Sequence, residues 1–380
     1  MRVGVLGGGQ LGRMIALAGY PLGVRFRHVG SSQDTSAGEV AEQVTAAYED
    51  REALVRFAMG LDVITYESEN VPLDAARFLA EHVAIQPPLT ALEAAQDRLN
   101  EKLAFAELGI PTAAYAQVDT FEQLEAAAAR VGYPAVLKTR RMGYDGKGQF
   151  VLRRPDELAL AWERLGASGL ILEALVPFDR ELSIIGVRGA SGETLFYPLI
   201  ENEHADGILR VSIAPAPDTP ADLQSIAEDY ATRVLDSLDY VGVLAIELFQ
   251  VGAQLVANEM APRVHNSGHW TIEGAETSQF ENHVRAILRY PLGDTSTVGH
   301  CVMINLIGAL PPVEHILQNP AAHLHLYGKH PRPGRKLGHV TVRGADARTV
   351  RVAAQRIRAE LLELSKEKRL KSAAVFYEDS

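Results

Sequence analysis

The sequence predicts a multidomain protein of mixed α/β and α+β class, on three observations. The chain has 380 residues, beyond the usual size of one domain. Its first hundred residues alternate short apolar strands with helical patterning around a glycine-rich turn, as in a parallel sheet covered by helices. Its middle instead carries successive strand-like runs joined by glycine turns, as in antiparallel sheet. Hydrophobic residues make up 47% and charged residues 22%, ordinary for a globular protein. The net charge of −11 argues against a nucleic-acid or anionic-membrane surface, yet allows a small anion held by local cations. Cys301, the one cysteine, cannot close an internal disulfide, which fits a reducing cytoplasm. No apolar run approaches the roughly 20 residues of a bilayer span. Met1 leads straight into a strand, so no signal peptide is expected.

Residues 3–6 form the first strand, and Gly7-Gly8-Gly9-Gln10-Leu11-Gly12 fits G-x-G-x-x-G before a helix over 13–18. Such glycines let backbone approach a phosphate at a helix N-terminus. Dinucleotide binding also needs an acidic residue at the end of the second strand, to hold ribose hydroxyls. That strand, 24–29, ends in Gly30-Ser31-Ser32, with Asp34 beyond it. The expectation is a Rossmann-like domain whose glycine loop meets a ligand other than NAD. A further strand over 62–66 ends in Glu67-Ser68-Glu69-Asn70, at the carboxyl edge where open α/β sheets bind ligands. The plainer alternative is that these carboxylates cap the turn before Pro72.

A helix over 92–108 carries Arg98 and Lys102, and a boundary falls near Gly109-Ile110-Pro111. Thr120-Phe121-Glu122-Gln123 is a capping box for an alanine-rich helix that stops at Gly132. The strand 135–138 delivers Lys138. After Arg140, Arg141 and Met142 comes Gly143-Tyr144-Asp145-Gly146-Lys147-Gly148-Gln149, before a strand over 150–153. Three glycines beside a lysine, between strands, make a flap whose amides can wrap phosphates. It is not a Walker A loop, since G-K-[ST] before a helix is missing. Residues 170–176 are apolar around Glu173, and Glu181 opens the strand 182–187. An adenine ring needs apolar walls and backbone hydrogen bonds, and a ribose needs a carboxylate; this segment offers both. A strand over 195–201 pairs back across a turn at 189–192 and ends in Asn202-Glu203-His204.

The densest chemistry follows. Residues 243–250 alternate like a strand, Gly252-Ala253 makes a tight turn, and 254–259 return, so Glu247 faces Asn258 or Glu259. Two carboxylates and an amide oxygen side by side suit Mg²⁺, which leaves positions for water and phosphate. Pro262-Arg263-Val264-His265-Asn266-Ser267-Gly268-His269 adds a guanidinium, two imidazoles and an amide directly after. A metal centre for phosphate chemistry is expected there.

The order of these parts resembles an ATP-grasp ligase. Within that superfamily the chain is similar to the N5-carboxyaminoimidazole ribonucleotide synthetases of purine biosynthesis. The likeness spans nearly the whole length. It rests on residues 8–14, Glu69-Asn70-Val71-Pro72, Leu137-Lys138-Thr139-Arg140, the flap, Glu201-Asn202 with His204, and the run 258–269. Tyr327-Gly328-Lys329 and Pro333-Gly334-Arg335-Lys336-Leu337-Gly338-His339 complete it. Ser68, Met142 and Ala174 depart from the family pattern.

The resemblance implies an ATP-grasp fold in three parts. These are a Rossmann-like pre-ATP-grasp domain over 1–110, an ATP-grasp domain over 111–295 (subdomains 111–171 and 172–295), and a small C-terminal domain over 296–380. It implies that Arg98 and Lys138 contact ATP, that Gly143, Tyr144, Asp145, Gly146, Lys147, Gly148 and Gln149 cover its phosphates, and that Glu173, Ala174, Leu175 and Val176 line the adenine. Glu181 would hold the ribose, with His204 and Asn258 nearby. Glu247, Asn258 and Glu259 would hold Mg²⁺, or Mn²⁺ in its place. Arg263, His265 and Asn266 would gather bicarbonate, with Tyr144, Asp145 and Lys336 completing the catalytic set. Gln10, Leu11, Glu67, Lys329, Arg335 and Lys336 would take the aminoimidazole ribonucleotide. The family also implies a cytoplasmic homodimer. The expected chemistry is activation of bicarbonate by ATP to carboxyphosphate, then carboxylation of the amine, with Asp145 or His265 accepting the proton. A sibling ATP-grasp enzyme would lack the runs 263–269 and 329–336, and a non-catalytic nucleotide binder would usually lose a metal carboxylate.

Overall fold

The protein is described here by a computed structural model covering residues 1–32, 35–143, 146–166 and 169–361. Asp34, Tyr144, Asp145 and the end of the expected C-terminal domain lie outside the described residues. The chain opens with β1 (Arg2–Leu6), β2 (Arg25–Gly30), β3 (Glu42–Thr45) and β4 (Val63–Tyr66). They pair in parallel in the order β3-β2-β1-β4, with β1 central. Such strands are buried on both faces, which is why β4 is buried throughout. The glycine loop leads from β1 into a helix over Gln10–Gly19.

A second sheet comprises β5 (Tyr115–Val118), β6 (Ala135–Thr139), β7 (Gln149–Leu152) and β8 (Leu170–Ala174), antiparallel in the order β5-β8-β6-β7. The helix Phe121–Val131 covers it, with both halves of the capping box at Thr120 formed. Leu124, Ala127 and Ala128 are its buried stripe, packed on Leu137 and Leu172. The flap joins β6 to β7.

The third sheet contains β9 (Arg180–Arg188), β10 (Thr194–Phe196), β11 (Ile200–Ala205), β12 (Ile208–Ala214), β13 (Gly242–Val251), β14 (Gln254–Ala261), β15 (His300–Ile307), β16 (Ala322–Leu326) and β17 (Lys336–Gly344). Its order is β14-β13-β9-β11-β12-β15-β17-β16, with β10 on β9. The C-terminal strands therefore extend the same sheet through the β12–β15 pair. One apolar core holds Val3, Val5 and Ile15 together with Phe280 and Val284, docking the first sheet on the third. His283 ties them too: its ring receives the Val243 N–H at 3.2 Å and bonds the Thr65 hydroxyl at 2.8 Å.

Three expected elements differ. The helix over 92–108 is two, Leu89–Ala95 and Arg98–Glu107, because the Asp97 carboxylate accepts the Leu99 N–H at 3.0 Å and starts a new helix. The strand over 195–201 is interrupted after Phe196, where Pro198 has no N–H for the ladder. The strand through 176 stops at Ala174, ahead of Pro177.

Candidate active site

A cavity of about 670 Å³ opens where the three sheets meet. Its floor is the β13–β14 hairpin. Glu247 pairs with Glu259 and Leu248 with Ala257, so Asn258 is an extra residue, a β-bulge. In a regular strand, neighbours point to opposite faces. The bulge lets Asn258 and Glu259 both line the cavity opposite Glu247. Burial and the facing Glu259 push the Glu247 carboxyl above its ordinary value. Burial would raise Glu259 as well, but Arg98 at 2.8 Å outweighs it and holds Glu259 below. Two carboxylates that resist sharing a charge are the setting a divalent cation fits. Among the described residues no group of three or more His, Cys, Asp or Glu side chains gathers for a metal, so the donors present are two carboxylates and the Asn258 amide.

Lys138 reaches into the cavity from the end of β6 and bonds Glu173 at 3.0 Å. Burial lowers its pKa, against the pull of Glu173. The flap root is clamped from the opposite side, with Asp97 accepting from Arg140 at 2.8 and 2.9 Å and from Arg141 at 3.2 Å. Gly146 abuts the β11–β12 turn so closely that a Cβ there would lie 2.8 Å from the Asp206 carbonyl oxygen. The Glu181 carboxylate lies 2.5 Å from His204 Nδ1, an ion pair when the ring is protonated. Burial opposes charge on His204, but Glu181 and then Glu247 outweigh it and raise its pKa.

At the other end of the cavity, Arg263 Nε donates to Glu69 at 2.6 Å. His265 Nδ1 lies 2.9 Å from the Ser267 hydroxyl and 3.3 Å from the Ser267 backbone nitrogen, and its Nε2 is 3.4 Å from Glu247. Burial, then Arg263, lower its pKa to about 3, so it is neutral. Asn266 exchanges two amide bonds with Asn305, at 2.7 and 3.1 Å, and donates its second proton to His269 Nδ1 at 2.9 Å. The other Asn305 proton goes to the Leu209 carbonyl at 2.9 Å, which fixes both amides' orientation.

The glycine loop is occupied by the chain itself. Glu67 accepts the N–H groups of Gly9 and, at 2.7 Å, Gly12, where a dinucleotide would place its pyrophosphate. Gly7 sits at φ +119°, and a Cβ there would lie 2.4 Å from Glu67 Cγ. The loop glycines thus make room for a carboxylate. A second cavity of about 210 Å³ adjoins the first at Gly9, bounded also by Ser36, Gly328, Lys329 and Arg335. Lys329 donates to Gln10, and burial, with Arg335 and Lys336 adding to it, lowers its pKa to about 8.

The family model for an ATP-grasp domain matches residues 103–280. A ribonucleotide synthetase preATP-grasp domain matches 1–96, and a phosphoribosylaminoimidazole carboxylase C-terminal domain matches 301–353. The N5-carboxyaminoimidazole ribonucleotide synthase of Pseudomonas aeruginosa is 51% identical over 359 residues, 94% of this chain and 99% of that protein. The chain belongs to the N5-carboxyaminoimidazole ribonucleotide synthetase family, in the ATP-grasp superfamily. The crystal structure of the synthetase from Thermus thermophilus superposes with a TM-score of 0.90 at 55% identity, covering 93% of this chain and 97% of that one. The Aspergillus clavatus synthase, solved with ADP and 5-aminoimidazole ribonucleotide, gives 0.89 at 32% identity, covering 95% and 98%.

Against that family's expected site, the large cavity gathers Arg98, Lys138, Gly143, Gly146, Gln149, Leu175, Glu181 and His204 on the nucleotide side. It also gathers Gln10, Leu11, Glu67, Arg263, His265, Asn266 and Lys336, while Lys329 and Arg335 line the second cavity. Ala174, Val176, Lys147 and Gly148 are not among its walls. Glu173 lies behind the wall, 3% exposed, with Lys138 and Lys102 on its carboxylate. Met142, outside the family pattern, holds φ +61° and is exposed, a left-handed conformation unusual for a non-glycine residue. Sequence reading passed over Phe178 and Phe249, which stack at 4.8 Å and line the cavity, and the pairing of Asn305 with Asn266. Phe249 sits two residues past Glu247 on the same face of β13, a signal the period of two carried; nothing local marks Asn305.

Proposed function

We propose that this chain carboxylates 5-aminoimidazole ribonucleotide with bicarbonate to N5-carboxyaminoimidazole ribonucleotide, converting ATP to ADP and phosphate. The observation that carries this is one cavity joining a nucleotide wall (Lys138, Glu181), the Glu247–Glu259 pair, and the Arg263–Asn266 group beside the cationic Lys329–Lys336 corner. Family membership supports it. The cavity divides the roles. The flap and Lys138 hold the triphosphate, Glu181 the ribose, and Leu175 with the Phe178–Phe249 stack the adenine side. Lys329 and Arg335, in the second cavity, suit the phosphate of the ribonucleotide, with Lys336 between it and the reacting centre.

Bicarbonate collected by Arg263 and Asn266 attacks the γ-phosphoryl group through one oxygen, and the bond to ADP breaks, leaving carboxyphosphate. The amine nitrogen then bonds the carboxyl carbon, phosphate leaves, and the nitrogen gives up a proton. Arg263, held by Glu69, places fixed positive charge where the anion develops. Asp145 or His265 takes that proton; His265 is held neutral, with its Nε2 3.4 Å from Glu247. Closure of the flap over the bound phosphates would keep water from carboxyphosphate. Glu247, Glu259 and Asn258 would hold Mg²⁺ or Mn²⁺, which when bound neutralises phosphate charge.

We also assign domain boundaries near residues 110 and 295, a homodimer, and a cytoplasmic setting. Among the described residues no helix is long and apolar enough to cross a membrane. The decisive assay is ADP release with MgATP and bicarbonate, with and without the ribonucleotide. Strong stimulation, with one acid-labile carboxylated product per ADP, is expected. Glu259→Gln is expected to abolish ADP formation with the fold intact, and retained turnover would remove the metal assignment.

A further inference from the structure

β14 is the edge strand of the third sheet, and the bulge that aims Asn258 and Glu259 interrupts its ladder. An edge strand leaves outward N–H and C=O groups without a neighbour, and when buried these need other partners. Here they find them on the helix Arg98–Glu107, which lies along the edge. The Lys102 ammonium donates to the Asn258 carbonyl oxygen at 2.5 Å. Glu101 accepts the Met260 N–H at 2.6 Å. Just upstream, the Ala257 N–H reaches the Pro111 carbonyl at 2.7 Å. Between the two side-chain bonds stands Glu259, taken by Arg98 from the same helix. The spacing 98, 101, 102 is one helical face, and it meets hairpin residues 258, 259 and 260 in turn.

Glu101 and Lys102 are 2% and 1% exposed, so neither is a solvated surface charge. Lys102 also lies 3.6 Å from Glu173, whose strand belongs to the second sheet. One ammonium therefore joins the backbone of the bulge to the opposite lobe of the cleft.

We propose that Glu101 and Lys102 are positioning residues: they hold the backbone of the bulge so that Asn258 and Glu259 face Glu247 as a ready-made divalent-cation site. This rests on the metal reading above. They act through the backbone of the ligating residues, as outer-shell partners orient a metal's own ligands, and loss of such partners commonly costs 10–100-fold in metal affinity.

The test is Mn²⁺ binding to the purified full-length protein at saturating ADP, followed by electron paramagnetic resonance, with circular dichroism and thermal unfolding as checks of folding. Lys102→Met keeps length but donates nothing, and Glu101→Ala removes the acceptor. Each is expected to weaken Mn²⁺ about tenfold or more. Glu101→Gln retains an acceptor oxygen for Met260 and is expected to stay within about threefold of the parent, which a generally loosened fold would not allow. If folded Lys102→Met and Glu101→Ala proteins bind Mn²⁺ like the parent while Glu259→Gln does not, the positioning role is overturned and the metal site stands. If the parent binds none, or Glu259→Gln binds as well as the parent, the metal reading falls and this inference with it.

Discussion

Asn305 offers a clean perturbation because its three hydrogen bonds are all accounted for. It is 6% exposed, donates to Leu209 and Asn266, and accepts from Asn266. Asn305→Leu keeps the volume and removes all three. The Leu209 carbonyl and half of the Asn266 amide are left short of partners. At about 1–3 kcal/mol for each unsatisfied buried group, the folded state loses roughly 2–6 kcal/mol. The functional loss is separate. Asn266 then keeps only its bond to His269, and a hydrogen bond to a charged species is worth about 1.5–3 kcal/mol, or roughly 10–100-fold. The assay is steady-state ADP formation with bicarbonate varied at saturating ATP and ribonucleotide. KM for bicarbonate is expected to rise about tenfold or more, with KM for ATP within about twofold. An unchanged bicarbonate KM in a folded Asn305→Leu protein refutes the view that the amide pair orients Asn266 for the anion.

Two further outcomes are expected. Phe249→Ala removes the ring stacked on Phe178 at an interplanar angle of 9°; an aromatic pair adds about 0.5–1.5 kcal/mol beyond its area, so KM for ATP should rise roughly 2–10-fold while that for bicarbonate holds, and equal shifts in both would disprove a nucleotide-side role. Acid should remove the stability that the buried neutral histidines contribute. Burial lowers His28 and His283 to about 4 and His265 to about 3, with His269 and His339 also pushed well down. The unfolded chain binds those protons near pH 6.5 and the folded one does not, so this stability is fully present above 6.5 and falls as pH drops toward 4. For His283 alone the loss reaches about 3 kcal/mol. The urea midpoint should fall more steeply over that window in the parent than in His283→Gln, and equal slopes in the two proteins would contradict it.

Local features that carry their own physics were readable in the chain. The capping box at Thr120 and the 243–259 hairpin each depend on residues a few positions apart, and each forms. The glycine loop was half legible. Its missing ribose acid spoke against NAD, but the reason the loop exists, Glu67 seated on its amides from another strand, is a contact across 55 residues or more. The broken helix at Asp97 was missed although an Asp is a ready cap, because apolar periodicity ran through it. That break matters, since Asp97 then clamps Arg140 and Arg141 at the flap root.

By itself, then, the sequence determined the class of fold, the candidate phosphate and metal residues, and the family to which the chain belongs. These follow from backbone preference, side-chain alternation and short-range spacing. Tertiary structure alone decided which of those side chains share a cavity. It set the one-residue bulge that turns Asn258 and Glu259 to the same face, carried Lys329 and Arg335 to a cavity beside the large one, and put Glu173 behind the wall. Register, edge sealing and burial depend on strands and helices distant in the chain, and no local pattern encodes them.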